Sequence, residues 1–143
     1  MTKLKDYKMF IDGSWVESES KKTFETLNPE NNEPWAKVPE ASAKDIDKAV
    51  RAAQKAFDGE WPKLFPKERA KYLKAIASQL RENAEHLGKI ETIDTGKLYK
   101  ETKMQANYIA EYYDYYAGLA DKVEGTVLPI DKPNMQVITT RVP

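Results

Sequence analysis

The chain has 143 residues with 23 basic and 23 acidic side chains, so its net charge is zero, and this length allows one domain with a sizeable core. The charge balance gives no electrostatic basis for binding nucleic acid or an anionic membrane, and no apolar run reaches the roughly 18 residues of a membrane span. Because the sequence has no Cys and one His, it excludes a disulfide framework and a cysteine nucleophile in this chain and argues against a multi-histidine metal cluster.

The N-terminal part predicts short strands. MTKLKDYKMF has two early lysines but no apolar core, so it does not resemble a secretory signal and we expect a cytoplasmic protein. KMFIDGSWVES places two β-type runs around Asp12-Gly13, which is a strong hairpin signal. TFETLNP and EPWAKVPEA, separated by the turn-rich ENN, are predicted to form two more strands.

Helical periodicity begins after residue 40. Ser42, followed by Asp45 three residues later, predicts a capping box, and Asp58-Gly59 is expected to end this first helix. Pro66 suits the first position of a second helix. The apolar positions at helical spacing are Ile46, Ala49, Val50, Ala53 and Phe57 in the first helix and Ala70, Leu73, Ile76, Ala77 and Leu80 in the second.

Two further helices are predicted before the C-terminal part. Asn83 is expected to cap a short helix that ends at Gly96. A longer helix is expected over about 99–121, with Gly125 ending it. Its predicted apolar side consists of Ile109, Tyr112, Tyr113, Tyr116, Ala117 and Ala120.

The last residues predict a β-hairpin of TVLPI and MQVITTRV, joined by the turn DKPN. Strands, then helices, then a hairpin indicate an α+β fold, not complete βαβ units. The chain stops at Val142-Pro143, directly after a β-type run. Since an isolated hairpin is marginal in water, we expect the natural polypeptide to continue.

Four tyrosines in positions 112–116 allow three interpretations: a surface for stacking bases, the wall of a ligand pocket, or core packing. Stacking on nucleic acid needs exposed rings among basic residues, whereas Glu111 and Asp114 would repel phosphates. Core packing, with the hydroxyls bonded to polar partners, is favoured for Tyr113 and Tyr116. For Tyr108, on an adjoining part of the helix, a pocket wall stays open.

The remaining polar candidates have simpler interpretations. His86 lies in a predicted first helical turn without an oriented partner, so we expect it at the surface. In ETIDTGK, a helix end capped by Gly96, with Asp94 bonded to local backbone donors, is favoured over a cation site. A loose basic edge is expected to be a solvated face and consists of Lys97, Lys100 and Lys103.

Taken together, four stretches resemble the NAD(P)-dependent aldehyde dehydrogenases in sequence and spacing: FIDGSWVES, TLNPENNEPWAKVPEAS, ETIDTGK and YYAGLADKVEGTVLPI. The resemblance spans residues 7–143, and the last stretch is the most distinctive. It implies the N-terminal part of a longer α/β enzyme whose Rossmann core lies downstream. Residues 1–124 would be N-terminal strands and helices of the cofactor-binding domain, and 125–143 would begin the oligomerisation hairpin.

The resemblance implies little chemistry in this chain itself. The family's nucleophilic cysteine, general-base glutamate and oxyanion asparagine lie downstream, so no catalytic or NAD(P)-binding residue is expected here, and the isolated chain should be inactive. Thr26, Leu27 and Asp94 match positions that hold a structural Na⁺ or K⁺ in several members, mostly through backbone carbonyls. Met104 and Tyr108 match the helix that lines the aldehyde entrance tunnel.

For the full-length enzyme, the resemblance implies that NAD or NADP accepts a hydride after thiolate attack on an aldehyde, and that the thioester is then hydrolysed. The implied partners are the rest of the dehydrogenase chain, an aldehyde substrate and further subunits in a dimer or tetramer. A second hypothesis starts from the unpaired strand at 135–142: a non-catalytic module that joins full-length subunits by strand pairing. A third is a domain that keeps the fold with an unrelated function.

Overall fold

The computed structural model describes residues 4–142, and Pro143 and the first three residues of the N-terminal segment lie outside this range. Strands and helices follow in the predicted α+β order, which is confirmed. A 3-10 turn at Trp61–Lys63 connects the first two helices. The elements are β1 (Lys5–Asp6), β2 (Met9–Ile11), β3 (Ser14–Val16), β4 (Thr23–Asn28), β5 (Glu33–Pro39), α1 (Ala43–Phe57), α2 (Pro66–Glu82), α3 (Ala84–Thr95), α4 (Tyr99–Leu119), β6 (Val127–Leu128) and β7 (Val137–Ile138).

The N-terminal strands form two small sheets. β2 and β3 make the predicted hairpin, and its turn residues Asp12 and Gly13 have φ values of 49° and 77°. Positive φ at both positions is the requirement of a type I′ turn, which explains the Asp-Gly pair. The second sheet has the order β1-β5-β4, with β1 parallel and β4 antiparallel to β5.

The core of the described chain is built from small side chains. α4 packs against both α2 and α3, and the buried residues on these three helices are Ala77, Ala84, Gly88, Thr102, Ala106, Ala110 and Ala117. Where α3 meets α4, a Cβ on Gly88 would lie 2.9 Å from the Lys103 Cα. The absence of a side chain at this position is therefore what lets the two backbones approach so closely.

The predicted capping box at the start of α1 is confirmed. The Ser42 hydroxyl accepts from the Asp45 amide at 3.3 Å, and the Ser42 amide donates to the Asp45 carboxylate at 2.9 Å. The same carboxylate accepts from the Ser18 hydroxyl and the Glu19 amide, both at 3.2 Å. The Ser42 backbone donor, followed by its hydroxyl, lowers the pKa of Asp45 to about 2, although burial opposes this shift. The hydrogen bonds of this carboxylate therefore link the segment after β3 to the start of α1.

The apolar stripe of α1 is helical as predicted, but the described residues do not cover it. Ile46, Val50 and Phe57 are each at least half exposed. The reason is topological, because α1 contacts mainly β2 and the 3-10 turn, and no described helix lies along it.

Helix ends differ from the predictions at Asn83 and Gly125. Asn83 occupies the predicted position before α3, but its side-chain amide donates to the Gln79 carbonyl at 2.8 Å and so satisfies the end of α2. α4 ends at Leu119, so Gly125 is not its cap. Instead, a Cβ on Gly125 would overlap the Thr139 carbonyl, so the glycine is needed for the close approach in the C-terminal hairpin. That hairpin is confirmed, although β6 and β7 are shorter than predicted.

Candidate functional site

One face of α4 carries large side chains toward solvent. Met104, Tyr108, Glu111, Tyr112 and Tyr115 follow one another at helical spacing, and we call this set the tyrosine face. The rings of Tyr108, Tyr112 and Tyr115 are 55%, 48% and 63% exposed. Together with Glu111, these three rings border an open cavity of about 360 Å³.

Tyr108 and Tyr112 contact each other through both their rings and their hydroxyls. Their ring centroids are 5.0 Å apart in an edge-to-face arrangement, and their hydroxyl oxygens are 3.0 Å apart. The hydrogen bond between the two hydroxyls is the largest cause that raises the pKa of Tyr112 above its ordinary value of 10.0. The charge that Tyr108 would carry when ionised and the partial burial of the ring raise it further. The two phenols therefore form one preformed aromatic wall.

The other two tyrosines of the cluster do not both behave as predicted. Tyr113 is half-buried, but Tyr116 is 57% exposed and makes an edge-to-face contact with Tyr115. The prediction of a core position for Tyr116 is therefore wrong for the described chain. Alanine, not tyrosine, fills the space between α4 and its neighbours, because the helices approach too closely for a ring.

A second candidate region lies where β4 meets the end of α3, and we call it the strand–helix junction. The Thr26 hydroxyl donates to the Asp94 carboxylate at 2.8 Å across 68 residues of sequence. Between Thr26 and Leu27, the register of β4 against β5 shifts by one residue, from Ala36 to Pro34. The structure therefore joins Thr26 and Asp94, two of the three residues that the resemblance assigned to a cation, and Leu27 directly follows Thr26 in β4.

The backbone at the end of α3 and in β4 explains how Asp94 comes to lie beside Thr26. Gly96 ends α3 in the left-handed conformation, with φ of 74°, and its amide bonds the Thr92 carbonyl, as the sequence predicted. The prediction that Asp94 bonds local backbone donors is wrong, since its hydrogen bond goes to β4. Within residues 4–142, the second carboxylate oxygen of Asp94 has no hydrogen-bond donor. Pro34 lacks the N–H that a regular ladder would use, so the bulge is the expected response.

The remaining candidates stay at the surface. His86 is exposed, as predicted, and borders a shallow apolar depression between α2 and α3 with Tyr72, Ile76 and Leu87. Of the basic edge, Lys97 is bound to Glu91 at 2.6 Å, and Lys100 and Lys103 are exposed, as predicted for a solvated face.

Residues 4–142 contain neither a cluster of metal-binding side chains nor a helix that could span a membrane. Among these residues, no three His, Asp or Glu side chains converge as a metal site would require. No helix in this part of the chain combines the length and the apolarity needed to cross a bilayer.

Sequence reasoning missed three interactions. It did not group Tyr115 with Tyr108 and Tyr112, although the i, i+4, i+7 spacing carries that information. It also missed the Ser18–Asp45 bond and the buried Thr102 hydroxyl, which lies 2.9 Å from both the Gly88 carbonyl and the Thr92 hydroxyl. Both contacts join residues that are far apart in the sequence, so no local sequence pattern predicts them.

Comparison with known proteins identifies one family. The model of the aldehyde dehydrogenase family matches residues 15–143. The chain is 42% identical to (Z)-2-((N-methylformamido)methylene)-5-hydroxybutyrolactone dehydrogenase of Acinetobacter baylyi, over 98% of this chain and 28% of the relative. It is 40% identical to betaine aldehyde dehydrogenase of Bacillus subtilis, over 94% of this chain and 28% of that protein. The chain thus spans only about a quarter of the length of these relatives.

The structure of this chain also superposes on solved structures of aldehyde dehydrogenases. Betaine aldehyde dehydrogenase from Staphylococcus aureus in complex with NAD⁺ superposes with a TM-score of 0.84 at 38% identity, covering 90% of this chain and 26% of that protein. An NAD-dependent aldehyde dehydrogenase from Sinorhizobium meliloti superposes with a TM-score of 0.86 at 32% identity, covering 93% and 27%.

Proposed function

Because this chain belongs to the aldehyde dehydrogenase family, at its N-terminal segment, we propose that it supplies the N-terminal strands and helices of an enzyme that oxidises an aldehyde to a carboxylic acid with NAD or NADP. The match over residues 15–143, set against relatives about four times as long, carries this proposal. The domain boundary proposed from the sequence, between residues 124 and 125, belongs to the same proposal.

The chain's own residues do not fit the dinucleotide. Its six glycines, at 13, 59, 88, 96, 118 and 125, form no glycine-rich phosphate loop. With no Cys in the sequence, it also lacks the thiolate nucleophile. We therefore assign no catalytic step to it and propose that the isolated chain is inactive.

The tyrosine face is the proposed contribution to the substrate path. Met104 and Tyr108 project from α4 into solvent, and Tyr112 fixes the Tyr108 ring by the hydroxyl contact. In the complete enzyme this face would line the aldehyde entrance and sort substrates by the space beside Tyr108. The downstream part of the polypeptide would complete the opposite wall.

The strand–helix junction is the proposed monovalent-cation site. Asp94 supplies a carboxylate oxygen without a hydrogen-bond donor, and the bulge at Thr26 and Leu27 supplies the irregular backbone from which carbonyls can turn to an ion. Oxygen-only ligands suit Na⁺ or K⁺. Exchange of Na⁺ or K⁺ for N-methylglucamine should lower the thermal stability of the natural chain but not of Asp94→Asn. An equal response of both would overturn the cation proposal.

Fragment complementation tests the proposed function. We expect the purified chain to produce no NADH from NAD⁺ and an aldehyde. The Acinetobacter relative, expressed without the quarter that matches this chain, should also be inactive, and co-expression of the two should restore NADH production. The relative's own N-terminal quarter is the positive control. Activity of the chain alone, or restoration by the control segment only, would contradict the proposal.

The second candidate function is a non-catalytic module that joins full-length subunits. The supporting observation is the two-stranded β6–β7 pair, whose outer edges have no partner among residues 4–142 and whose Val127 and Ile138 are exposed. This function predicts that the chain co-purifies with a full-length homologue, and that Ile138→Pro abolishes the association while Ile138→Thr retains it. Equal capture of both variants would count against strand pairing.

A further inference from the structure

We propose that Tyr108 and Tyr112 form a site of oxidative modification, at which a one-electron oxidant joins the two rings covalently as dityrosine. The reactants are the two phenols and an oxidant such as the high-valent haem of a peroxidase. The modification is a property of this chain alone and does not depend on the proposed function. Three features support it: the geometry of the pair, its exposure and the chemistry of phenol oxidation.

The two rings are held together by two contacts. Their centroids are 5.0 Å apart with an interplanar angle of 84°, so the edge of one ring faces the other. Their hydroxyl oxygens are 3.0 Å apart. Because each hydroxyl-bearing carbon is bonded to the ortho carbons of its ring, this contact brings an ortho edge of Tyr108 close to one of Tyr112. Dityrosine is a bond between two such ortho carbons, so the reacting atoms are neighbours before the reaction starts.

The hydroxyl contact distinguishes this pair from the other ring pair of α4. Tyr115 and Tyr116 also meet edge to face, with centroids 5.4 Å apart. Among residues 4–142, however, Tyr108 and Tyr112 are the one pair of tyrosines whose hydroxyls are hydrogen-bonded to each other. In dityrosine the two hydroxyls lie next to the new bond, so the product keeps the contact that the structure shows.

A dissolved oxidant can reach the pair. The rings of Tyr108 and Tyr112 are about half exposed, and both border the open cavity of about 360 Å³. With no Cys in the sequence, the chain has no thiol that would reduce a phenoxyl radical before it couples.

The coupling balances as an oxidation by two electrons. Each phenol gives one electron to the oxidant and its hydroxyl proton to water, which leaves a phenoxyl radical with unpaired electron density at its ortho carbons. The two radicals form a carbon–carbon bond between ortho carbons. The hydrogen on each of these carbons then moves to the adjacent oxygen, which restores both aromatic rings and both hydroxyls. Two one-electron oxidants are reduced, two protons are released, and the chain loses two hydrogen atoms.

The test is limited photo-oxidation of the 143-residue chain with tris(bipyridyl)ruthenium(II) and persulfate, at a dilution where collisions between chains are rare. We expect dityrosine fluorescence, an intact mass lower by two hydrogen atoms, and a chain that stays monomeric on a denaturing gel. Tyr108→Phe and Tyr112→Phe should each lower the dityrosine yield at least about fivefold, because the remaining phenol loses its neighbouring partner. Circular dichroism before oxidation checks that each variant keeps the fold.

Protease digestion locates the link, because Glu111 lies between the two rings in the sequence. Trypsin cuts after Lys103 and Lys122, and endoproteinase Glu-C cuts between them, after Glu111. The two peptides on either side of Glu111 should therefore remain joined after both digestions, and tandem mass spectrometry should place the link at Tyr108 and Tyr112.

Tyr115→Phe and Tyr116→Phe are the matched controls, since each removes a phenol from the ring pair that has no hydroxyl contact. Neither should lower the yield as Tyr112→Phe does. The proposal is overturned if no dityrosine forms, if the link lies within residues 112–122 or joins two chains, or if the controls lose as much yield as Tyr108→Phe and Tyr112→Phe. In concentrated urea, where α4 is unfolded, the yield of the natural chain should fall toward that of these two variants. An unchanged yield in urea would contradict a role for the folded pair.

Discussion

The two faces of α4 reverse the usual relation between size and burial. The inward face presents Thr102, Ala106, Ala110 and Ala117, all buried, and the outward face presents Met104, Tyr108, Tyr112 and Tyr115, all about half exposed or more. Close packing against α2 and α3 explains the small inward residues. The four large outward side chains are not buried by any other part of residues 4–142, so packing within this chain does not account for their size. Large side chains without cover indicate a surface that is retained for contact with something else.

Gly88→Ala should cause the largest loss of stability, because it adds a methyl group where α3 packs against the inward face of α4. Its Cβ would lie 2.9 Å from the Lys103 Cα and amide nitrogen, so two backbones must move apart. Overpacking of this kind typically costs about 1–3 kcal/mol of unfolding free energy. Chemical denaturation monitored by circular dichroism measures the loss.

Gly118→Ala is the matched control for Gly88→Ala. It adds the same methyl group to α4 at a position with nothing within 4 Å, where φ is not positive. Because alanine is the better helix former, this change should raise the free energy of unfolding, by up to about 0.5–1 kcal/mol. Equal destabilisation by both substitutions would show that close approach at Gly88 is not what fixes the α3–α4 contact.

Thr102→Val probes the one buried hydroxyl of the same contact. Thr102 is fully buried, its hydroxyl lies within 3.0 Å of the Gly88 and Tyr99 carbonyls, and it accepts from the Thr92 hydroxyl. Valine keeps the shape but leaves the Thr92 hydroxyl without this partner, at a cost of roughly 1–2 kcal/mol. Thr95→Val, at an exposed hydroxyl on α3, should stay within about 0.5 kcal/mol. Similar losses for both would argue against a special role for the buried network.

Sequence periodicity predicted the helices of this molecule but not which face of each one is buried. For α4, apolar size favoured an inward side with Tyr113 and Tyr116, whereas the small residues turn inward because three helix backbones approach closely. For α1, the stripe through Ile46 and Val50 was read correctly, but its cover is not among residues 4–142. The pairing of Thr26 with Asp94 depends on how β4 meets α3, so only the family resemblance could suggest it.

Acid titration distinguishes the hydrogen-bonded carboxylate of Asp45 from the exposed carboxylates of α1. Its pKa is lowered from 3.8 to about 2 by the Ser42 donors, so its stabilising contribution is complete above 3.8 and is lost as the pH falls through about 2. Asp45→Asn should therefore lower stability at neutral pH and flatten the acid limb of the stability profile in that window. Asp47→Asn, on an exposed position of α1, should leave that limb unchanged. Parallel acid limbs for Asp45→Asn and the natural chain would contradict this assignment.

Tyr108→Phe should give the smallest effect on stability and the clearest one on titration. It removes the hydroxyl that raises the pKa of Tyr112, so the pKa of Tyr112 should fall back toward 10.0, as measured by phenolate absorbance. A raised phenol pKa stabilises the fold fully below 10.0 and loses that contribution as the pH rises through the raised value. At neutral pH, the stability of both proteins should agree within about 0.5 kcal/mol.

Tyr115→Phe provides the control for that titration, because Tyr115 contacts Tyr116 and its hydroxyl does not bond Tyr112. It should leave the Tyr112 titration unchanged, and a shift equal to that of Tyr108→Phe would contradict the hydroxyl pairing. If the titration moves only with Tyr108 while stability stays constant, then the outward rings are organised by one another without holding the fold. An arrangement that is ordered and yet dispensable for folding is what a binding surface requires, and the inward face of the same helix, where a single methyl group matters, shows the opposite behaviour.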